Sequence, residues 1–153
     1  MRNVLLTASR GTAVLNSLFL RFEPLGAPIP QLRNGALIAS ETGKAVTYGL
    51  EVAQNRGQTF VGPSTEVYEG MIIGLNTRED DLEINVAKEK KQSNVRASSA
   101  DIAIGLTPPI LMSLEQCLDF IEDDELLEVT PKSLRMRKKI LNASERLKAR
   151  KRG

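Results

Sequence analysis

Between Lys88 and Ser98 the chain reads Lys-Glu-Lys-Lys-Gln-Ser-Asn-Val-Arg-Ala-Ser. Lys88, Lys90, Lys91 and Arg96 stand against a single Glu89, and Asn94 adds an amide donor. These are the groups that contact phosphate and ribose oxygens without reading bases. A solvated loop has the same composition, but long loops without structure of their own lean towards function or disorder. A second basic set begins at Leu134, where apolar and basic residues alternate. On a strand, Leu134, Met136 and Ile140 share one face, and Arg135, Arg137 and Lys139 point the other way, about 7 Å apart. That is close to the phosphate spacing of a nucleic-acid backbone. Lys138 interrupts the apolar side near the strand's end and is counted with the same cations. Such a face often serves only solvation, but burial of Leu134 and Met136 would hold these cations in place.

Other chemistry is largely excluded. The chain has no histidine, which removes Ser-His-Asp and Cys-His catalysis and histidine zinc sites. Its one cysteine, Cys117, makes neither an internal disulfide nor a four-cysteine metal site, and its sequence neighbours mark it as a small core residue. No Gly-x-x-x-x-Gly-Lys-Ser/Thr loop is present to cradle phosphates. Trp is absent and aromatics are 4%, too few for a base-stacking platform. Asp123-Asp124-Glu125 cannot all turn onto one cation and read as a solvated helix terminus, so no metal is expected. Tyr68 reads as a strand residue with its hydroxyl at the rim. No catalytic residue and no small-molecule substrate are expected.

Charge is arranged by location. The net charge over 153 residues is only +2, yet residues 131–153 carry ten cations against Glu145, and residues 115–130 carry seven carboxylates and no cation. Partners feel this local field rather than the total. No stretch approaches the ~20 apolar residues of a membrane span. The N-terminus lacks the basic and apolar regions of a secretory signal.

The elements that would position these groups can be read from pattern. Residues 12–22, rich in strand formers and apolar on both faces, predict one long strand needing cover on both sides. Pro24, Gly26, Pro28 and Pro30 mark a linker. Residues 35–40 and 44–50 predict a hairpin about Glu41-Thr42-Gly43, and residues 50–56 a short helix capped at Gly57. Glycines at 70 and 74 within the run 66–75 suggest bulges at the corner of a small barrel. Residues 82–86 alternate cleanly, and 102–106 predict a further strand. Ser113 and Gln116 form a capping-box pattern ahead of the stripe Leu114, Cys117, Leu118 and Ile121. Strands over 126–129 and from 134 follow, with residues 143–152 as a short basic helix or tail.

Taken in order, several stretches resemble the C-terminal part of the BipA/TypA family of ribosome-associated translational GTPases. They are Arg33-Asn34-Gly35, Gly43 to Val46, Asn55-Arg56-Gly57, Glu66 to Gly74, Lys90-Lys91, Asn94 to Ser98 and Thr107-Pro108-Pro109. The most specific is Leu114 to Pro131, followed by Arg135-Met136-Arg137-Lys138. The resemblance implies an α+β, mainly β architecture. Residues 1–24 would be the last strand-bearing remnant of a ferredoxin-like fifth domain like that of elongation factor G. Residues 25–32 would be a linker, 33–141 a small barrel-like C-terminal domain with a short helix, and 142–153 a basic tail. It further implies docking on the large ribosomal subunit near the A site, with the loop bearing Lys88, Lys90, Lys91, Asn94 and Arg96 approaching 23S rRNA and the A-site tRNA. The setting would be the bacterial cytoplasm or an organelle stroma. GTP and magnesium would belong to a GTPase domain absent from these 153 residues, leaving no cofactor here. Two positions depart from the family pattern: Ser64, where glycine or glutamine is expected, and Ser99-Ala100, where Gly-Thr is usual. The competing expectation is a protein-interaction domain, in which the acidic segment 115–128 and the basic segment 131–153 engage another protein or each other.

Overall fold

Met71-Ile72-Ile73, an uninterrupted apolar run, becomes the start of a central strand, and the domain is built outward from it. The computed structural model describes residues 5, 9, 12–24, 26, 33–89 and 105–151. It divides the chain into two units, Met1–Pro30 and Gln31–Gly153. In the second unit the elements run β1 (Ala36–Ala39), β2 (Gly43–Lys44), α1 (Thr47–Gln54), β3 (Gly57–Thr59), β4 (Glu66–Val67), β5 (Met71–Asn76), β6 (Leu82–Ile84), α2 (Leu114–Phe120), β7 (Glu125–Val129), β8 (Leu134–Lys138) and α3 (Ala143–Arg150). The class is α+β, mainly β.

The principal sheet is open and mixed, in the order β6-β1-β5-β8-β7, with β3 also on β5 and a separate β2-β4 pair. β1 runs antiparallel to β5 and parallel to β6. β3 and β8 pair with successive parts of β5, at residues 74–76 and 71–72. Because side chains alternate across a strand, β1 sends Leu37 and Ala39 into one apolar cluster and Ala36 and Ile38 into the other. The first cluster includes Leu50 and Ala53 of α1, the second Cys117 of α2. A strand covered on both sides reads as a continuous apolar run, as β5 does.

Several expectations are corrected. The hairpin over 35–50 does not form: both edges of β1 are taken by β5 and β6, so β2 pairs with β4 instead. The helix begins at Thr47, earlier than predicted, because Gly49, Leu50 and Ala53 form its buried side. Gly57 does not cap it; the cap residue is Asn55. Gly57 lies in β3, where a Cβ would meet the Leu75 carbonyl oxygen at 1.9 Å. Gly70, by contrast, needs its φ of +82°. The predicted strand over 102–106 falls partly outside the described residues, and Gly105 and Leu106 are irregular.

α2 forms as read, with both capping-box bonds made: the Gln116 N–H donates to Ser113 Oγ and the Ser113 N–H to Gln116 Oε1. Met112 before the cap and Cys117 in the helix join the same apolar cluster, the pattern of a hydrophobic staple. Of the predicted stripe, Cys117 is buried, whereas Leu114 and Leu118 are exposed.

In the first unit, residues 12–22 have no regular secondary structure, contrary to the strand expected there. A strand exists only through its ladder partner, and none is present for this segment among the described residues. Leu18, Leu20 and Phe22 are exposed, and Phe19 packs edge-on to Phe22 at 5.1 Å between ring centroids.

Candidate RNA-binding surface and its ion network

Alternation along β8 is as the sequence reads, and it divides the basic residues. Arg135 and Arg137 point away from the α2 side of the sheet, while Met136 and Lys138 are buried towards it. Arg137 Nε donates to Glu128 Oε1 at 2.6 Å, and its Nη1 donates to the Lys138 carbonyl at 3.1 Å. Glu128 Oε2 accepts from the Tyr68 hydroxyl at 2.7 Å. Burial and then the Glu128 carboxylate push the Tyr68 phenol upward, so it stays neutral and donates. The same hydrogen bond, aided by Arg137 and opposed by burial, holds the Glu128 carboxyl below its usual range. Arg135 sits directly opposite Glu128 across the β7–β8 ladder. Among the described residues it makes no hydrogen bond or ion pair. Two guanidiniums thus share one carboxylate on this face.

Lys138 does not belong to that face. It is 1% exposed, and its Nζ lies 2.6 Å from Asp81 Oδ2, 2.9 Å from Glu125 Oε1 and 3.1 Å from Asp124 Oδ2. A cation enclosed by three carboxylates and closed off from solvent cannot reach a phosphate, so Lys138 is removed from the RNA-contacting set. Burial alone would lower its pKa, but the bonds from Asp81 and Glu125 outweigh this and raise it. In Asp81 burial is likewise outweighed, by Lys138 and by the Ala36 N–H at 2.7 Å, and the carboxyl is held below its usual range.

Arg33 closes the network from the other side. Its Nη2 is 2.5 Å from Glu125 Oε1 and 3.4 Å from Glu122 Oε2, its Nε donates to the Phe120 carbonyl at 2.7 Å, and the guanidinium lies 4.3 Å from the Phe120 ring centroid. Glu125 is therefore buried, not part of a solvated helix end; Asp123 and Asp124 are exposed. Glu122, Asp124 and Glu125 each bring an oxygen within 4.8 Å of the others. Arg33 and Lys138, the chain's own cations, bond to these carboxylates. Here the acidic and basic segments engage each other within one molecule.

Lys139 is exposed, but its Nζ donates to the Asp123 carbonyl, drawing it from the line of Arg135 and Arg137. Lys88 is exposed beyond β6. Lys90, Lys91, Asn94 and Arg96 lie outside the described residues. Cys117 is buried, and burial pushes its thiol pKa up. Sequence reading missed Arg33 and Asp81, since nothing local marks a bond such as Arg33–Glu125 that spans 92 positions. Of the two readings of residues 143–152, the short basic helix is the one that forms, as α3, capped by Asn142, in which Arg146 bonds Glu83 at 2.6 Å while Lys148 and Arg150 are exposed.

The sequence is similar to that of known proteins. The family model described as the TypA/BipA C-terminal domain matches residues 34–143. The large ribosomal subunit assembly factor BipA of Haemophilus influenzae is 46% identical over 149 residues, 97% of this chain and 24% of that protein. Its Bacillus subtilis counterpart is 46% identical over 145 residues, 94% of this chain and 24% of that protein. BipA of Escherichia coli K12 is also 46% identical, over 149 residues, 97% of this chain and 24% of that protein. The chain spans about a quarter of the length of these curated relatives.

Proposed function

This chain belongs to the TypA/BipA family, whose C-terminal domain it carries, and we propose that it is a ribosome-binding, non-catalytic module of a translational GTPase. The relatives' description as large ribosomal subunit assembly factors supports the large subunit as partner. Contact would be through 23S rRNA and the acceptor end of the A-site tRNA. GTP and magnesium would be handled by a GTPase domain outside these 153 residues, and residues 1–24 would complete the sheet of a ferredoxin-like domain. The setting would be cytoplasmic or stromal. No helix among the described residues is long and apolar enough to cross a membrane.

The observation that carries the reading is Arg135, outward-facing on a strand whose Met136 and Lys138 are buried, beside an Arg137 fixed by Glu128. Among the described residues Arg135 has no hydrogen bond or ion pair to release before it meets a new anion. Its backbone is fixed in the β7–β8 ladder, so only the side chain has to be ordered on meeting a phosphate. The loop cations Lys88, Lys90, Lys91 and Arg96, with Asn94, would add contacts that position without reading sequence. Co-sedimentation with purified 50S subunits at ~150 mM salt, where charges further than about 8 Å apart are screened, tests this. Replacing Lys90, Lys91 and Arg96 together by Glu should abolish binding with the circular dichroism spectrum unchanged; undiminished binding would refute the loop's role.

A further inference from the structure

On the α2 side of the sheet, away from Arg135 and Arg137, a cleft of about 800 Å³ lies between α3, residues 79–83 leading into β6, and the loop at residues 122–124. Ile38, Ile140 and Leu147 contribute apolar surface, and Leu147 is 62% exposed. Seven carboxylates line the cleft against four cations. Three of those cations are already engaged: Lys138 in its carboxylate cage, Lys139 on the Asp123 carbonyl and Arg146 on Glu83. Among the described residues, the carboxylates of Glu79, Asp80 and Asp123 have no hydrogen bond or ion pair, and only Arg150 is a comparably unengaged cation.

We propose that this cleft binds a basic segment of a partner protein, one in which arginines or lysines alternate with an apolar residue. The complementarity is twofold. Unengaged carboxylates at the walls supply the charge that Arg or Lys head groups need, and exposed Leu147 and Ile140 supply a surface on which an aliphatic stem or a leucine-type side chain can lie. The volume suits a few side chains. RNA is disfavoured, because its phosphates would meet unneutralised carboxylates. This goes beyond the RNA reading and assigns a different partner to the opposite face of the sheet: β8 contributes Arg135 and Arg137 to one and Lys138 to the other.

The test uses the full chain, isotope-labelled for NMR, titrated with a nine-residue peptide alternating Arg and Leu. A Glu–Leu peptide of equal length and a nine-nucleotide RNA serve as controls. The Arg–Leu peptide should shift the amides of Asp80, Asp123 and Leu147, and the Asp80→Asn/Asp123→Asn double variant should weaken it by about fivefold, as expected for losing two exposed ion pairs. Arg135→Glu should leave its affinity within about twofold, since that side chain lies on the other face. Neither Asp80 nor Asp123 carries an internal ion pair among the described residues, so the double variant should keep the wild-type spectrum. The proposal is overturned if the Arg–Leu peptide does not bind, shifts other amides, or binds the double variant equally well. It is equally overturned if the RNA or the Glu–Leu peptide occupies the same amides as tightly.

Discussion

Lys138 is the residue on which the domain's internal electrostatics turn. Its side chain is 2% exposed and Glu125's 0%, so removing the cation leaves that buried carboxylate with Arg33, 2.5 Å away, as its remaining cationic partner. Leaving a buried charge wholly unpaired costs roughly 3–5 kcal/mol; with Arg33 still on Glu125, Lys138→Ala should lose somewhat less, about 2–3 kcal/mol in urea unfolding, and a loss below about 1 kcal/mol would contradict the caged reading. The pH dependence has a definite sign. Asp81 is held below its ordinary range in the folded state, so its contribution is complete above the unfolded value of about 4 and is lost as pH falls below it. Lys138 is raised, so its contribution is complete below the ordinary lysine value and is lost only as pH rises through the folded one. Stability should therefore fall on the acid side below about pH 4, and Asp81→Asn should flatten that limb; an unchanged acid limb would show that Asp81 is not linked to folding. Ser64 has a φ of +67°, the left-handed region that favours glycine. Ser64→Gly should raise stability by roughly 0.5 kcal/mol, the relief of that strain less glycine's greater unfolded freedom. A destabilised variant would contradict it.

Elements whose signals are local are legible in the residues themselves. α2 is the clearest, because Ser113 and Gln116 cap it within a single turn; Ser113→Ala should cost about 1 kcal/mol, measured by thermal unfolding. No change there would mean that the exposed cap bonds contribute nothing. β8 is readable through alternation, and so is the outward direction of Arg135 and Arg137. The failures have one physical source: a strand is defined by a partner that its own residues do not specify. Residues 44–50 look like a hairpin arm until β1 is seen to have no free edge. Residues 12–22 have strand composition without a ladder. Gly57 looks like a cap, yet its demand is the close approach of Leu75 on the neighbouring strand. Alternation also shows that Lys138 points inward but not what awaits it there. Asp81, Asp124 and Glu125 reach it from other elements, so an inward lysine reads in sequence as one more surface cation.

At the scale of the molecule, the partition of charge along the chain becomes a partition across the sheet. Glu128 and Arg137, and Asp124, Glu125 and Lys138, consume much of the opposing charge internally. What remains is one uncompensated charge where Arg135 and Arg137 share Glu128 on one face, and unengaged carboxylates around a cleft on the other. Composition indicates that charge matters by location, but which charges survive internal pairing depends on the fold. The family and its large-subunit partner are suggested by motifs spread over residues 33–138, and the match over 34–143 bears out the family. The central claim, that outward-held cations grip ribosomal RNA, is tested most directly by measuring affinity for purified large subunits across a salt series. Each cation that neutralises a phosphate contributes about 0.7–0.9 to the slope of log affinity against log salt. Arg135→Gln should therefore lower the magnitude of the slope by close to that amount while leaving stability unchanged. A slope identical to wild type would contradict the account.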